Sequence, residues 1–392
     1  MITIKSDDPA VEKMLRRLEA LVLDTGSQLN ESLVVCCKNN FLWLESGLPP
    51  DNADILVKLT EASAVPVNLF DLRLEDDTLV LASTDPDIGE TQAAILEAMI
   101  ALYNLTDKIT TYKAQSPRIA LRDDPETSSR LLAARPKAFI AGRFREIAET
   151  DDLDTAIIQN FLKSRVLTVG DGVGVDALLP FIAFANHHVL AANCIKASPD
   201  HPGMAKALVN SKPVPGSDEV MIRYTLFDAL DSFLHHGFAT PDPAFVRSVP
   251  LTLDFGAIGK VEVGGYISDQ RFTPNNDALV AQGIYLPKYL EREKGFLGIS
   301  WLLIPAQTRP NALRQVLAFL MKELDPGLDE AEGLVLLKKC EKEVLSANIS
   351  FYEDLKGYLG GLKTTPVIEE AKTAVDIQLS LLSTYKPLEW KN

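Results

Sequence analysis

The stretch LLPFIAFANH, Leu178 to His187, is the part of this sequence that decides the fold. Upstream of it, the segment FLKSR ends at Arg165, and the segment KNNFLW contains Asn39. Downstream, MIRY ends at Tyr224, and SFLHHGF places His236 twelve positions after it. Polar groups that recur among apolar residues in this way are typical of a ligand site.

Length and composition limit the classes of protein to consider. The chain has 392 residues, of which 46% are hydrophobic and 24% charged, as in ordinary globular proteins. That length predicts two domains, or one domain with a large insertion. No apolar run approaches the roughly 20 residues of a membrane helix, and residues 1–9 are polar and acidic. We therefore expect no membrane association and no secretory signal.

The charge of the chain indicates the kind of partner. Asp plus Glu is 54 and Lys plus Arg is 39, so the formal net charge is −15. A chain this acidic should repel phosphate backbones, which argues against nucleic-acid binding. It should attract a protein substrate or partner with a basic segment.

Cysteine usage indicates the compartment. The four cysteines are few for this length, and none forms a C-x-x-C pair. They are read as reduced thiols in a cytoplasmic protein. They are Cys36, Cys37, Cys194 and Cys340.

Hydrophobic periodicity predicts an α+β fold. A helix begins at Asp7 or Asp8 and ends at Gly26, and helical character returns from Glu90 to about Arg165. Strands and helices do not alternate regularly, which argues against a doubly wound sheet or a β/α barrel. The predicted strands are 32–37, 41–45, 54–59 and 77–83, with a second strand-rich block over 166–268, and the predicted C-terminal helices are 311–323, 329–348, 350–359 and 367–385.

The order and spacing of these motifs resemble those of the SET-domain protein methyltransferases, in particular the branch typified by the Rubisco large-subunit methyltransferase. The resemblance covers most of the chain. It implies a SET-like fold of small β-sheets over residues 1–241, with a helical insert at about 88–165. An all-helical, substrate-binding-like C-terminal domain over 242–392 would follow.

The resemblance also implies a cofactor, S-adenosylmethionine. No metal is expected, because adjacent histidines such as His187-His188 and His235-His236 diverge and make no good metal clamp. Asn186 and His187 match the Asn-His pair that holds the cofactor in the family. Arg165 matches the arginine that contacts the methionine carboxylate, and a guanidinium fork suits a carboxylate. The turn at Asn39 matches the backbone that approaches the cofactor. These segments are expected to meet in one cleft, with Tyr224 and His236 at its inner end.

The sequence departs from the family pattern at the catalytic tyrosine and at the glycines of the turn. His236 stands where the family has its catalytic tyrosine, while Tyr224 keeps the other aromatic position. Lys38 and Asn40 stand at the glycine places around Asn39. Asn tolerates positive φ, whereas Lys does not, so Lys38 is expected to crowd the cofactor.

Two functions follow from the resemblance. The first is a protein-lysine methyltransferase in which Tyr224 and His236 serve the acceptor amine. The second is a catalytically inactive SET-like protein that acts as a binding or regulatory module. No G-x-S-x-G elbow, Walker loop or H-E-x-x-H motif occurs in the sequence to support a hydrolase, a nucleotidase or a metalloprotease.

Overall fold

The chain forms two compact units of mixed helix and strand. One unit comprises Met1–Ala114 and Thr150–Thr225, and the other comprises Gln115–Glu149 and Leu226–Asn392. Both contain small sheets and helices, so the predicted α+β class is confirmed. The domain boundary at 241/242, expected from the family resemblance, stays a prediction. The computed structural model describes residues 1–136, 138–170, 174–198, 201–224, 227–264, 284, 286–287, 289–306 and 311–385.

The first helix of the first unit follows from its local sequence. The Asp8 carboxylate accepts a hydrogen bond from the Ala10 N–H at 2.7 Å, and Pro9 occupies the first turn. One apolar face of this helix, α1 (Pro9–Asp24), is fully buried, and its residues are Val11, Leu15, Leu18 and Val22. The helix predicted between Asp8 and Gly26 is therefore confirmed.

Five small sheets build the rest of the first unit. Their strand orders are β1-β3-β4, β6-β10-β9, β11-β14, β12-β13-β5-β2 and β7-β8. The strands predicted at 32–37, 41–45, 54–59 and 77–83 are all present, with ends shifted by about one residue. The strands are β1 Thr3–Ser6, β2 Gln28–Leu29, β3 Leu33–Lys38, β4 Phe41–Ser46, β5 Ile55–Thr60, β6 Val65–Pro66, β7 Phe70–Glu75, β8 Thr78–Thr84, β9 Val166–Val169, β10 Val175–Leu178, β11 Asn186–His187, β12 Ile195–Ser198, β13 His201–Val209 and β14 Met221–Ile222.

Helices occupy the chain between the two strand-rich blocks, as predicted for residues 90 to about 165. Because this segment contributes to both units, its helices divide between them. The first unit contains α2 Glu90–Leu105, α7 Leu153–Lys163 and most of α3 Lys108–Gln115, whereas the second contains α4 Pro117–Ala120, α5 Pro125–Leu132 and α6 Phe139–Glu149.

The second unit packs helices against two further sheets. Their orders are β15-β20 and β16-β17-β19-β18. The C-terminal region from Asn311 to Thr384 is helical, as predicted, and strands precede it. The elements are α8 Ala229–His236, β15 Phe245–Arg247, β16 Leu251–Asp254, β17 Lys260–Val263, β18 Tyr289–Glu293, β19 Phe296–Ile299, β20 Leu303–Pro305, α9 Asn311–Leu324, α10 Glu330–Gly360 and α11 Pro366–Thr384.

The predicted break between helices 329–348 and 350–359 is wrong. Asp329 caps the helix as expected, but α10 continues without interruption to Gly360. Asn348, the last residue of the first predicted helix, is fully buried, and its amide nitrogen donates to Ser248 Oγ and Val344 O. Its carbonyl oxygen accepts from the Val249 N–H. Contacts distant in sequence thus satisfy a side chain that in isolation disfavours helix.

All four cysteines are free thiols. Cys36 and Cys37 are adjacent on β3 and both buried. Burial, together with the Glu45 carboxylate, raises the pKa of the Cys36 thiol to about 12. These thiols therefore stay protonated and behave as core side chains.

Within the described residues, no helix combines the length and the apolar character that crossing a membrane requires.

Candidate functional site

The six residues predicted from the sequence divide between the two units. Asn39, Arg165, Asn186, His187 and Tyr224 belong to the first unit. His236 belongs to the second.

Asn39 and Asn40 form a two-residue turn between β3 and β4. Their φ angles are 51° and 63°, and Lys38 pairs with Phe41 across the hairpin. Positive φ at both central residues is the geometry that matches the twist of a two-residue hairpin, and Asn tolerates it. Lys38 is a strand residue without positive φ, so its backbone needs no glycine conformation. The expectation that its side chain crowds the cofactor stays a prediction.

Side chains on both sides hold this turn. The Asn39 N–H donates to Asp7 Oδ2 at 3.0 Å. The Asn40 amide donates to Asp107 Oδ2 at 2.6 Å, directly before α3 begins at Lys108. Lys108 Nζ in turn lies 5.4 Å from the centre of the Phe41 ring. The turn and the beginning of α3 are therefore joined by two adjacent contacts.

Arg165 follows α7 and lies among aromatic rings. Its guanidinium carbon is 3.9 Å from the Phe161 ring centre, 5.7 Å from Tyr103 and 6.0 Å from Tyr112. Phe161 precedes Arg165 by one helical turn, whereas Tyr103 and Tyr112 come from α2 and α3. Three elements thus place π faces around one cation.

The charge of Arg165 has no counter-ion among the described residues. Its Nη1 donates to Ser164 Oγ at 2.7 Å, but no carboxylate of these residues lies within ion-pair distance. Burial lowers the pKa of the guanidinium, although it remains charged at neutral pH. A half-buried guanidinium without a carboxylate partner can bind an anion.

Tyr103 contributes a buried hydroxyl to the same place. Its side chain is only 3% exposed, and its Oη has no hydrogen-bond partner among the described residues. Burial raises the pKa of Tyr103 to about 12, and the positive charge of Arg165 opposes that shift. An unsatisfied buried hydroxyl beside an uncompensated cation is the pattern of a site built for a polar ligand.

The LLPFIAFANH stretch reaches β11 through a strained turn. Phe181 has φ 61° and ψ −50°, and the Ile182 N–H donates to Pro180 O at 2.8 Å, which defines a γ-turn. Such a conformation costs a non-glycine residue about 1–3 kcal/mol. The Phe181 side chain is completely buried, so packing holds it there. The turn leads directly to Asn186 and His187.

The Asn186 side chain already has a partner. Its amide donates to Glu219 Oε1 at 2.6 Å. Burial raises the pKa of the Glu219 carboxyl, and the hydrogen bond from Asn186 opposes that shift. In this structure Asn186 therefore orients a carboxylate of its own chain, and its backbone pairs in parallel with Met221.

His187 and Tyr224 form a stacked pair. Their ring centres are 4.9 Å apart at an angle of 28°, and the Tyr224 N–H donates to His187 Nδ1 at 3.0 Å. Burial lowers the pKa of His187 to about 4, so its imidazole is neutral at pH 7. Tyr224 Oη donates to Ala185 O at 2.9 Å, and burial raises its pKa to about 12. Both rings are uncharged hydrogen-bonding groups.

His236 is the last residue of α8. Gly237 ends the helix with φ 82°, and the His236 ring lies 5.7 Å from Phe227 and 6.0 Å from Phe238. The neighbouring His235 ring stacks on Phe227 at 4.5 Å. The predicted catalytic histidine therefore lies in an aromatic cluster of the second unit.

Sequence analysis missed three residues of the site in the first unit: Tyr103, Lys108 and Tyr112. Lys108 and Tyr112 are one turn apart on α3, a spacing that indicated a shared helix face but no function. Burial, followed by the charge of Arg165, lowers the pKa of Lys108 to about 8. The local sequence does not indicate that the charges of Lys108 and Arg165 act on each other, because the two residues are far apart along the chain.

Comparisons with known proteins give matches in structure only. No protein-family model matches the chain, and no curated protein matches it in sequence. The SET domain of LSMT bound to lysine and AdoHcy is 13% identical, with a TM-score of 0.42 over 96% of this chain and 91% of that chain. The same domain bound to MeLysine and AdoHcy is 14% identical, with a TM-score of 0.41 over 96% and 90%.

A further match is Rubisco LSMT bound to AdoMet. It is 13% identical and has a TM-score of 0.38 over 96% of this chain and 91% of that chain. TM-scores and identities of this size do not by themselves establish a shared fold.

Proposed function

We propose that this chain is a SET-type, S-adenosylmethionine-dependent protein methyltransferase that acts on a lysine side chain of a protein substrate with a basic segment. The observation that carries the proposal is Arg165, a half-buried guanidinium among aromatic rings that has no carboxylate partner in the described part of the chain. It is the residue that the family motif matches to the methionine carboxylate.

The residues around Arg165 fit the amino-acid end of the cofactor. The guanidinium has donors left beyond the one that contacts Ser164, and the buried Tyr103 hydroxyl lacks a partner among the described residues. At the segments of Asn39 and Asn186, some of the hydrogen-bonding groups are already used within the chain. The Asn39 N–H is held by Asp7 and the Asn186 side chain by Glu219, so these segments would contribute through other groups of their backbone.

When bound, S-adenosylmethionine supplies an electrophilic sulfonium methyl group to a neutral amine. The residues of this chain would orient the two reactants, and the rings of His187 and Tyr224 carry no charge themselves. Neutral His187 and the protonated Tyr224 hydroxyl suit that task, because an uncharged pair neither repels the sulfonium nor protonates the amine. The net charge of −15 would draw a basic substrate segment.

The inactive alternative rests on His236. An imidazole stands where the family has its catalytic phenol, and it lies between Phe227 and Phe238 at the end of α8. On this alternative the protein binds a basic partner, with or without the cofactor, and transfers no methyl group.

Titration calorimetry with S-adenosylmethionine on the full chain tests the proposal. Arg165→Ala should weaken binding at least about tenfold, since a charge-assisted hydrogen bond contributes about 1.5–3 kcal/mol. Arg73→Ala is the matched control, because Arg73 lies in the same unit, is largely exposed and pairs only with Glu75 among the described residues. Absence of wild-type binding at millimolar cofactor would refute the proposal.

A transfer assay then separates the two functions. The full chain is incubated with methyl-tritiated cofactor and a library of basic, lysine-containing peptides. Label on a lysine supports the methyltransferase. Cofactor binding without label on any peptide supports the binding module, and His236→Tyr then tests whether the missing phenol is the cause.

A further inference from the structure

A second cation without an ion pair among the described residues lies at the start of α3 in the same unit. Lys108 begins α3, and its Nζ lies 5.4 Å from the Phe41 ring centre. The side chain is half-buried, and no carboxylate of the described residues forms an ion pair with it. The adjacent Asp107 carboxylate instead accepts from the Asn40 amide at 2.6 Å.

Each of the two cations lies over aromatic rings, and α3 connects the two places. Lys108 and Tyr112 are one turn apart on the same face of α3, and the Arg165 guanidinium lies 6.0 Å from the Tyr112 ring. The charge of Arg165 also acts on Lys108, and together with burial it lowers the lysine pKa to about 8. Two like charges held close without a counter-ion destabilise each other.

We infer that Lys108 and Arg165 together form a two-cation site for the carboxylate of an amino-acid-type ligand, with Lys108 as the residue that selects ligands carrying this carboxylate. The inference rests on the proposed function, and it assigns a further binding residue to the same site. One carboxylate has two oxygens, which can accept from the guanidinium fork of Arg165 and from the ammonium of Lys108. Binding it neutralises charge that the chain leaves uncompensated.

Two ligands, one with and one without the amino-acid group, are compared to measure the contribution of the carboxylate to binding. AdoHcy carries the amino-acid group, whereas 5′-methylthioadenosine has the same nucleoside and thioether without it. Affinities of both are measured by calorimetry for the full-length wild type, Lys108→Met, Lys108→Arg and Lys113→Met. Lys113 is the matched control because it lies on the same helix and pairs with Asp77 at 2.6 Å.

Lys108→Met should weaken AdoHcy binding about tenfold and leave 5′-methylthioadenosine binding within about twofold. Lys108→Arg should retain most of the AdoHcy affinity, and Lys113→Met should retain all of it. Equal loss for both probes would show a general structural defect and overturn the inference. Unchanged AdoHcy affinity in Lys108→Met, with wild-type binding intact, would overturn it while leaving the proposed function standing.

A footprinting experiment avoids any folding defect of a variant. Wild-type chain is acetylated with and without each probe, and the rate at Lys108 is read by mass spectrometry against the rate at Lys113. AdoHcy should slow acetylation of Lys108 alone, and 5′-methylthioadenosine should not. Equal rates at Lys108 with and without AdoHcy, under conditions where calorimetry shows it bound, contradict the inference. If wild type binds no AdoHcy, the proposed function fails first, and this inference fails with it.

Discussion

Gly237, which ends α8 one residue after His236, should not tolerate alanine. Its φ is 82°, and a Cβ built on it would lie 2.3 Å from the backbone oxygen of Gln115. The left-handed conformation costs an alanine about 1–2 kcal/mol. Relief of the overlap requires two backbone segments to move apart, at a further cost of about 1–3 kcal/mol. Gly237→Ala should therefore lower the free energy of unfolding by about 2–5 kcal/mol.

Gly256→Ala separates the two contributions. Gly256 belongs to the same unit and has φ 67°, but a Cβ there would meet no atom within 4 Å. Gly256→Ala should therefore lower the free energy of unfolding only by the cost of the left-handed conformation, about 1–2 kcal/mol. Urea unfolding followed by far-UV circular dichroism measures both variants against the wild type, and the slope m shows whether the same transition is compared.

The difference between the two variants is the decisive quantity. A larger loss in Gly237→Ala, with m unchanged, supports a close backbone approach at the end of α8. Equal losses would refute the reasoning, because they would mean that the Gln115 backbone moves aside at no cost.

Two further predictions concern the first unit. Asn39→Ala should lower the free energy of unfolding by about 1–2 kcal/mol, because Asn39 has a φ of 51°. Lys38→Ala, within β3, should change it by about 0.5 kcal/mol or less. Equal effects of the two substitutions in urea titrations would contradict the turn geometry. The folded-state pKa of His187, about 4, lies below its ordinary value of 6.5, so the unfolded chain binds the proton more tightly, and stability should fall as pH drops from 6.5 towards 4. That loss is about 3 kcal/mol for His187, and His187→Phe should flatten this part of the profile; identical pH profiles for the two proteins would count against burial as the cause.

Much of the local structure was predictable from the sequence. The cap at Asp8, the proline at the first turn and the apolar face of α1 act within a few residues of each other. The strands β3, β4, β5 and β8 were predictable for the same reason, whereas β1, β2, β6 and β7 were not predicted. The end of α10 at Gly360 was also foreseen, although its continuity was not.

The candidate site was predicted only in part. Arg165, Asn186, His187 and Tyr224 came from the family resemblance, and the structure adds partners that no motif specifies. The Asn186 side-chain amide donates to the Glu219 carboxylate, and the Tyr224 ring stacks on the His187 ring. The spacing of a motif predicts which residue types occur at a site. It does not predict which of their hydrogen-bond donors and acceptors are already bonded to other residues of the folded chain.

The sequence by itself therefore determined the α+β class, the element order and the acidic charge that favours a basic partner. These follow from periodicity, capping and composition, which operate over a few residues or over the whole chain. Only the tertiary structure decided that Asn348 continues a helix and that Lys108 lies near Arg165. Both depend on desolvation and on hydrogen-bond partners from distant segments, and those exist only once the chain has folded.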